Sequence, residues 1–222
     1  VCCMVHSGSR GLGHQICSEH AKSLISKMSG FGISVPDKQL ACAPIDSAEG
    51  RKYLSAMACA ANFAWANRQA LMHWCRKAFE NIFGGSSAEL GLELVYDVAH
   101  NIAKFEEHHV GGSSRRLLVH RKGATRAFGP KRREVPSAYR EFGQPVIIPG
   151  SMGSASYVMT GTDAAMEESF GSTCHGAGRK MSRRGAVRAT KGRNIADELK
   201  ERGIHARWRG GKTMREEAPE AY

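Results

Sequence analysis

Residues 92–122 read LELVYDVAHNIAKFEEHHVGGSSRRLLVHRK. Within this stretch, residues 104–110 and 115–121 have the composition of two short strands, and they flank the pair Gly111-Gly112. Adjacent glycines tolerate the positive φ angles that a tight hairpin turn requires. The spacing therefore predicts an antiparallel β-hairpin.

The same stretch begins with an apolar run. Residues 92–98 are typical of a short buried strand. Such a strand would deliver His100 and Asn101 to its carboxyl end, where functional sites are commonly built. A histidine beside an amide suits a metal ion and a phosphate oxygen, and an ordinary structural role is the alternative.

Further elements lie on both sides of this stretch. Residues 48–83 are rich in Ala, Met and aromatic side chains, which predicts a long helix whose apolar residues pack in a core. Residues 1–6 resemble a buried strand that leads through a glycine loop into a helix, and residues 145–148 and 157–159 predict two more short strands. This irregular order favours an α+β fold with mixed β-sheets and flanking helices over a doubly wound fold.

The composition is that of a folded globular protein, with 222 residues of which 41% are hydrophobic and 24% charged. No domain boundary is evident, so residues 1–222 are interpreted as part of a single domain, and Val1, which opens an apolar run without Met, predicts an internal segment of a longer protein. No apolar run reaches the roughly eighteen residues of a membrane span. Seven cysteines without a CxxC pair predict reduced thiols in the cytoplasm, with the nucleus also compatible.

Positive charge is concentrated in two parts of the chain, whose formal net charge is +11. Residues 179–209 hold 11 Lys or Arg against 3 acids, a net charge of 11 − 3 = +8, and residues 115–133 contain no acid at all. Clustered cations release counterions from phosphates on binding, which indicates a polyanionic partner. Two solvated basic faces are the alternative interpretation.

Two further segments carry residues suited to phosphate chemistry. Residues 6–13 read HSGSRGLG, in which glycines let the backbone approach an anion, although a tight structural turn would also explain them. Residues 174–179 read CHGAGR, in which small residues after His175 leave space for a nucleotide phosphate that Arg179 can neutralise. Histidine can act as a covalent nucleophile toward phosphorus. Cys174 is interpreted as a packing residue.

These segments belong to a set of six that closely resembles the RtcB family of GTP-dependent RNA ligases. The six occur in the family's order and are residues 6–13, 97–101, 121–128, 149–157, 174–179 and 216–222. The resemblance implies an RtcB-like catalytic domain that joins RNA 2′,3′-cyclic phosphate or 3′-phosphate ends to 5′-hydroxyl ends, as in tRNA splicing or RNA repair. It also implies GTP and two Mn²⁺ ions as cofactors, and His175 as the catalytic residue that carries GMP.

The resemblance assigns the remaining site residues one by one. His6 and His100 would bind manganese, and four basic residues would contact RNA phosphates: Arg10, Lys122, Arg179 and Arg183. The residues that would line the GTP site are His100, Asn101, Pro149, Gly150, Ser151, Met152, Ser156, His175, Gly176, Ala177, Gly178 and Tyr222.

The implied partners are RNA, as tRNA halves or broken RNA ends, together with GTP and an activating protein of the archease type or a tRNA ligase complex. No membrane partner is implied. The family's Asp-x-x-Cys-Gly and Asn-His-Phe-x-Glu segments and its C-terminal lysine do not occur in these 222 residues, so the chain alone is predicted to be inactive. The alternatives are a non-catalytic RNA-binding paralogue and a metal-dependent phosphoesterase that opens cyclic phosphates.

Overall fold

The computed structural model of the chain describes residues 2–176, 178–210 and 212–222. The chain folds as two compact units, Val1–Val95 and Tyr96–Tyr222, and the interpretation of residues 1–222 as a single domain stays a prediction. Across the described ranges, no helix combines the length and the apolar character that crossing a membrane requires.

The first unit contains two long helices, α1 (Arg10–Lys27) and α2 (Ala48–Phe83), and two 3-10 helices, Met28–Phe31 and Lys38–Leu40. The predicted helix over residues 48–83 is confirmed. Its start is fixed by Ser47, whose hydroxyl accepts a hydrogen bond from the Gly50 amide at 2.9 Å, a typical N-terminal cap. A Cβ atom on Gly50 would lie 2.3 Å from the Pro44 carbonyl oxygen, so this position requires glycine.

The prediction that α2 packs its apolar residues in a core is wrong for the carboxyl-terminal part of the helix. Trp74, Ile82 and Phe83 are 68%, 74% and 65% exposed. At about 1.5 Å per residue, α2 is about 54 Å long and α1 about 27 Å. The shorter helix therefore covers only part of the longer one.

The prediction of strands at residues 1–6 and 92–98 is also wrong for the described residues, which do not include Val1. Residues 2–6 and 92–98 are not paired with any strand, and Leu94 and Val95 are exposed. A strand needs a neighbour for its backbone N–H and C=O groups. Both segments run instead as irregular backbone outside the sheets.

The second unit is built on the predicted hairpin, which is confirmed and is longer than expected. Strand β1 (Asn101–Val110) pairs antiparallel with β2 (Ser113–Lys122). Gly111 and Gly112 connect the strands with φ angles of +59° and +79°, which glycine adopts without strain.

The remaining strands form two shorter sheets. Strand β3 (Ala124–Arg126) pairs with β6 (Ser172–Cys174), and β4 (Pro145–Ile148) pairs with β5 (Tyr157–Thr160), which confirms the strands predicted at residues 145–148 and 157–159. The α+β class is confirmed. The expected mixed sheets are wrong, because every strand pair in the described ranges is antiparallel.

The helices of the second unit are short. An apolar cluster joins α5 and α6 to the segment that follows them, and it is formed by Ile195, Leu199, Met214 and Ala218. Other buried apolar side chains, among them Phe128, Val135 and Val146, lie near the strands. The helices are α3 (Asp163–Ser169), α4 (Arg183–Ala189), α5 (Ile195–Glu201) and α6 (Thr213–Glu216), with 3-10 helices at Ser137–Tyr139 and Pro219–Ala221.

Candidate active site

Two histidines from distant parts of the sequence meet in the second unit. His100 directly precedes β1 and His175 directly follows β6, and their ring centroids lie 3.9 Å apart with a tilt of 35°. The His100 carbonyl accepts the Ala124 amide at 3.3 Å, and the His175 amide donates to the Gly123 carbonyl at 3.3 Å. The turn between β2 and β3 therefore holds both histidines.

Gly123 forms that turn with a φ of +63°. Its amide donates a hydrogen bond to Asn101 Oδ1 at 3.0 Å. The sequence placed Asn101 beside His100 by adjacency alone, and it did not identify Gly123 as the residue that connects them. The relevant signal was present in residues 121–128, where a glycine follows two basic residues.

The backbone after His175 lies against the segment that follows β4. Gly176 has a φ of +152°, and a Cβ atom at this position would lie 2.8 Å from the Pro149 carbonyl oxygen. Two segments predicted to line a nucleotide site therefore meet at Gly176. Gly178 has open space where its Cβ would be, and Ala177, which was predicted for the same site, lies outside the described residues.

The loop between β4 and β5 is folded on itself by serine side chains. Ser156 Oγ accepts the Gly150 amide at 3.1 Å, and Ser154 Oγ accepts the Ser151 amide at 2.9 Å. Met152 packs against the apolar cluster of α5 and α6. Arg202 also donates a hydrogen bond to the Gly153 carbonyl at 2.8 Å. The loop therefore keeps its shape through its own hydrogen bonds and through contacts with the α5 and α6 region.

Arg179 contacts the last residues of the chain. Its guanidinium donates to Glu217 Oε2 at 2.8 Å and to the Tyr222 hydroxyl at 3.1 Å, and it lies 5.0 Å from the Tyr222 ring centroid. The Tyr222 hydroxyl also donates to Glu217. These contacts hold residues 216–222 in place, and the predicted contact of Arg179 with RNA phosphate stays a prediction.

The same contacts shift the pKa values of Glu217 and Tyr222 in opposite directions. Burial raises the pKa of Glu217, but the Tyr222 hydrogen bond and the Arg179 charge outweigh it, so the pKa lies below its ordinary value. Burial and the bond to Glu217 raise the pKa of Tyr222. Glu217 is therefore an anion that Arg179 and Tyr222 both stabilise.

The other predicted RNA contacts lie at the surface. The side chain of Arg183 is 69% exposed, with its Nε 3.5 Å from Glu217 Oε1. Lys122, at the end of β2, is exposed, as is Arg10 at the start of α1 in the first unit. Their roles toward RNA stay predictions.

His6 lies in the first unit, before a loop that α2 holds in place. Asn67 Nδ2 donates to Ser7 Oγ and to the Gly8 carbonyl, both at 2.9 Å, and an Arg68 guanidinium nitrogen lies 3.5 Å from the Ser7 carbonyl. Sequence reasoning missed Asn67 because nothing in the helix pattern distinguishes it. The metal-binding role of His6 stays a prediction.

A buried charged cluster lies under the hairpin, and sequence reasoning missed it entirely. Arg121 from β2 makes two parallel bonds to Glu106 from β1, at 2.7 and 2.9 Å, and His108 Nε2 lies 3.1 Å from the same carboxylate. The side chains of Arg121 and Glu106 are only 1% and 3% exposed. Burial raises the pKa of Glu106, but the hydrogen bonds from Arg121 and His108 outweigh it and lower the pKa overall.

The cluster also holds the segment that leads to His175. Arg121 Nε donates to Ser172 Oγ at 2.9 Å, and another guanidinium nitrogen donates to the Phe170 carbonyl at 2.9 Å. Ser172 is the first residue of β6, which ends one residue before His175. The ion pair therefore fixes the strand that carries the candidate nucleophile.

Comparison with known proteins decides the family. The family model described as "tRNA-splicing ligase RtcB" matches residues 1–222. The chain belongs to the RtcB family. This membership confirms the resemblance drawn from the six sequence segments, and it agrees with an α+β fold in which His100 and His175 of the RtcB domain are neighbours.

Three curated relatives of this RtcB chain come from archaea, and each is named tRNA-splicing ligase RtcB. The Archaeoglobus fulgidus protein is 57% identical over 219 residues, which are 99% of this chain and 45% of that relative. The Methanocaldococcus jannaschii protein is 55% identical and the Methanococcus maripaludis protein 53%, again over 99% of this chain, which covers 23% and 46% of those relatives. The chain thus spans less than half the length of these relatives.

Proposed function

We propose that the complete protein joins RNA ends that carry a 2′,3′-cyclic phosphate or a 3′-phosphate to 5′-hydroxyl ends, through a GMP carried by His175. The observation that carries the proposal is the position of His175, 3.9 Å from His100 between ring centroids and followed by a glycine that closely approaches a second loop. The names of the relatives, which describe tRNA-splicing ligases, support the choice of RNA as substrate.

The proposed reaction proceeds in three transfers. An imidazole nitrogen of His175 attacks the α-phosphorus of GTP, forming an N–P bond while the bond to pyrophosphate breaks. An oxygen of the RNA 3′-phosphate, which hydrolysis of a cyclic phosphate can supply, then takes the GMP and releases the histidine. Finally, the 5′-hydroxyl of the second RNA attacks the RNA phosphorus, GMP leaves, and a phosphodiester bond remains. Histidine suits the first role because its neutral ring is a nucleophile near pH 7.

The family implies two Mn²⁺ ions, and the histidines present fit part of such a site. Imidazole nitrogen is a common ligand for divalent transition metals. By the family resemblance, His6 and His100 would each provide one ligand, and further ligands would be needed to complete the coordination. When bound, the metal would neutralise phosphate charge and orient the reacting groups.

The GTP site would be formed around Gly176 and the loop between β4 and β5. In support, the Pro149 carbonyl oxygen lies 2.8 Å from where a Cβ on Gly176 would be, and serine side chains hold the loop. Met152 and Tyr222 already make internal contacts, so their place at the nucleotide rests on the family resemblance. The described residues proposed to line the site are His100, Asn101, Pro149, Gly150, Ser151, Met152, Ser156, His175, Gly176, Gly178 and Tyr222.

The proposed partners are RNA, as tRNA halves or broken ends, and an activating protein of the archease type or a tRNA ligase complex. RNA phosphates would be contacted by exposed cations such as Lys122, Arg10 and Arg183. Such contacts position the nucleic acid without reading its sequence. The proposal therefore predicts broad tolerance of RNA sequence near the joined ends.

The function is tested by incubating the complete protein with Mn²⁺ and GTP labelled at either the α- or the γ-phosphate. We expect label on the protein from α-labelled GTP only, with one pyrophosphate released for each GMP bound. The bond should be labile to acid and stable to alkali, as a phosphoramidate is. A protein that binds RNA but takes up no label would be a non-catalytic paralogue, and opening of cyclic phosphates without labelling would indicate the phosphoesterase.

Replacing Gly176 by alanine is expected to weaken GTP binding by about 1–3 kcal/mol, the usual cost of a strained backbone conformation. The added Cβ would lie 2.8 Å from the Pro149 carbonyl oxygen and would sit at a φ of +152°. Isothermal titration of the variant with GTP measures the change. Gly30→Ala is the matched control, because nothing lies within 4 Å of its Cβ position and it is not among the proposed GTP-site residues, and an equal loss in both variants would contradict this account.

A further inference from the structure

The β1–β2 hairpin has one buried face and one face in solvent. Side chains of residues paired across an antiparallel ladder lie on the same face of the sheet. Glu106, His108 and Arg121 occupy the buried face. The opposite face is here called the outer hairpin face. It carries Asn101, Ala103, Phe105, Glu107 and His109 from β1 and Ser114, Arg116, Leu118, His120 and Lys122 from β2. Its one carboxylate, Glu107, lies 3.8 Å from the Arg133 guanidinium.

An aromatic ring and cations are exposed together on the outer hairpin face. Phe105 is 47% exposed, and the Arg116 guanidinium carbon lies 4.8 Å from its ring centroid. His120 and Lys122 are also exposed. A phenylalanine covered by a guanidinium presents a flat, positively charged platform, and nucleic acid bases stack on such surfaces.

The basic stretch at residues 115–133 divides between the two faces of the hairpin and the segment after it. Three arginines of this stretch donate hydrogen bonds within the protein. The pairs are Arg121 with Glu106, Arg126 with Gln144, and Arg132 with Glu134. Arg116 and Lys122 form no ion pair within the described part of the chain. Arg116 and Lys122 on the outer hairpin face therefore remain available to a polyanion, as do the exposed Arg115 and Lys131 elsewhere in the stretch.

The outer hairpin face begins beside the two histidines and leads away from them. Asn101 and Lys122 are paired at its inner end, directly after His100, and Val110 and Ser113 are paired at its outer end. Ten residues per strand, at about 3.4 Å each, give a length of about 34 Å. A strand of RNA whose end lies at His175 can therefore follow this face for several nucleotides.

We propose that the outer hairpin face binds single-stranded RNA next to the end that is joined. Bases stack on the Phe105–Arg116 platform and on His120, while Arg116 and Lys122 contact the phosphates. This inference rests on the proposed ligase function, and it adds the substrate class: an RNA end with an unpaired tract, bound without base-specific contacts.

The test uses the complete protein and two fluorescent RNA oligonucleotides that end in a 3′-phosphate. One is two nucleotides long and the other is ten nucleotides long. We expect Phe105→Ala to weaken binding of the ten-nucleotide RNA by about tenfold, which is within the usual range for the loss of one stacking contact. Binding of the dinucleotide should stay unchanged, because it is too short to reach Phe105. Arg116→Ala should lower the salt dependence of binding by about one released counterion.

Two controls separate recognition from folding. Phe105→Leu keeps an apolar side chain but removes the flat ring, so it should bind RNA as weakly as Phe105→Ala if stacking is responsible. Arg188→Ala removes an exposed arginine from α4 and should leave binding unchanged. Wild-type affinity of Phe105→Ala or Phe105→Leu for the ten-nucleotide RNA would overturn the proposal.

GMP labelling without RNA distinguishes this inference from the proposed function. The hairpin variants should take up GMP at the wild-type rate, because the outer hairpin face does not include His175. Absence of labelling in the wild-type protein would contradict the ligase function itself. Reduced labelling in Phe105→Leu would indicate that the face supports the fold of the site, and it would overturn the RNA-binding proposal.

Discussion

Replacing His175 by alanine is expected to abolish labelling by α-labelled GTP, with a fall of at least about a thousandfold, because loss of a covalent nucleophile commonly has an effect of this size or larger. Among the described residues of the second unit, no other histidine ring lies close enough to His100 to replace that of His175. The measurement is the initial rate of GMP incorporation at saturating Mn²⁺ and GTP.

The matched control for His175→Ala is His205→Ala, which removes an exposed histidine from the same unit. It should label at the wild-type rate. His175 is half-buried, so thermal unfolding of both variants should be recorded to confirm that the fold is kept. Acid-labile label on the His175→Ala protein would place the GMP on another residue.

Replacing Arg121 by methionine is expected to lower the free energy of unfolding by about 3–5 kcal/mol, the usual cost of breaking a buried ion pair by removing one partner. Methionine replaces only the aliphatic stem of arginine and leaves the Glu106 carboxylate buried without its two guanidinium bonds. It also removes the bonds to Ser172 and Phe170, which fix the strand before His175. Urea unfolding measures the change.

A second substitution identifies the cause of that loss. The double variant Arg121→Met with Glu106→Leu should recover part of the stability, because no uncompensated charge then remains buried. The control is Arg133→Met, whose side chain is 82% exposed and which should change stability by less than about 0.5 kcal/mol. A loss below about 1 kcal/mol in Arg121→Met would show that the pair does not stabilise the unit.

The pH dependence of stability follows from the lowered pKa of Glu106. The unfolded carboxyl has the ordinary, higher pKa, so the unfolded state binds a proton more readily than the folded state. The stabilisation is therefore complete above the ordinary pKa and is lost as the pH falls through the lower folded value. Arg121→Met should remove this part of the acid sensitivity.

The sequence patterns predicted those helices and strands that depend on contacts between residues close together in the chain. Residues 48–83 become a helix because their side chains favour one and Ser47 caps it, and the hairpin forms because Gly111-Gly112 closes adjacent strands. The apolar run at residues 92–98 failed as a strand, because an apolar run does not reveal whether a partner strand lies beside it.

The charged groups of the site were the hardest to predict, because their partners are distant in sequence. Arg121 and Glu106 look like solvated strand residues until the segment at residues 170–172 covers them. The ion pair of Arg179 with Glu217 could not be predicted either, because the carboxylate lies 38 residues later. The motif histidines could be identified through the family pattern, but no pattern specified the residues that hold them.

The pairing of β3 with β6 has a consequence for how the second unit folds. Ala124 pairs with Cys174, 174 − 124 = 50 residues later, whereas the β1–β2 hairpin closes through two glycines. A hairpin of this kind forms in about 1–10 μs, while closing a long loop is entropically more costly and slower. The hairpin can therefore form early and provide the surface on which Arg121 captures the later segment. His100 and His175 become neighbours only when that segment arrives.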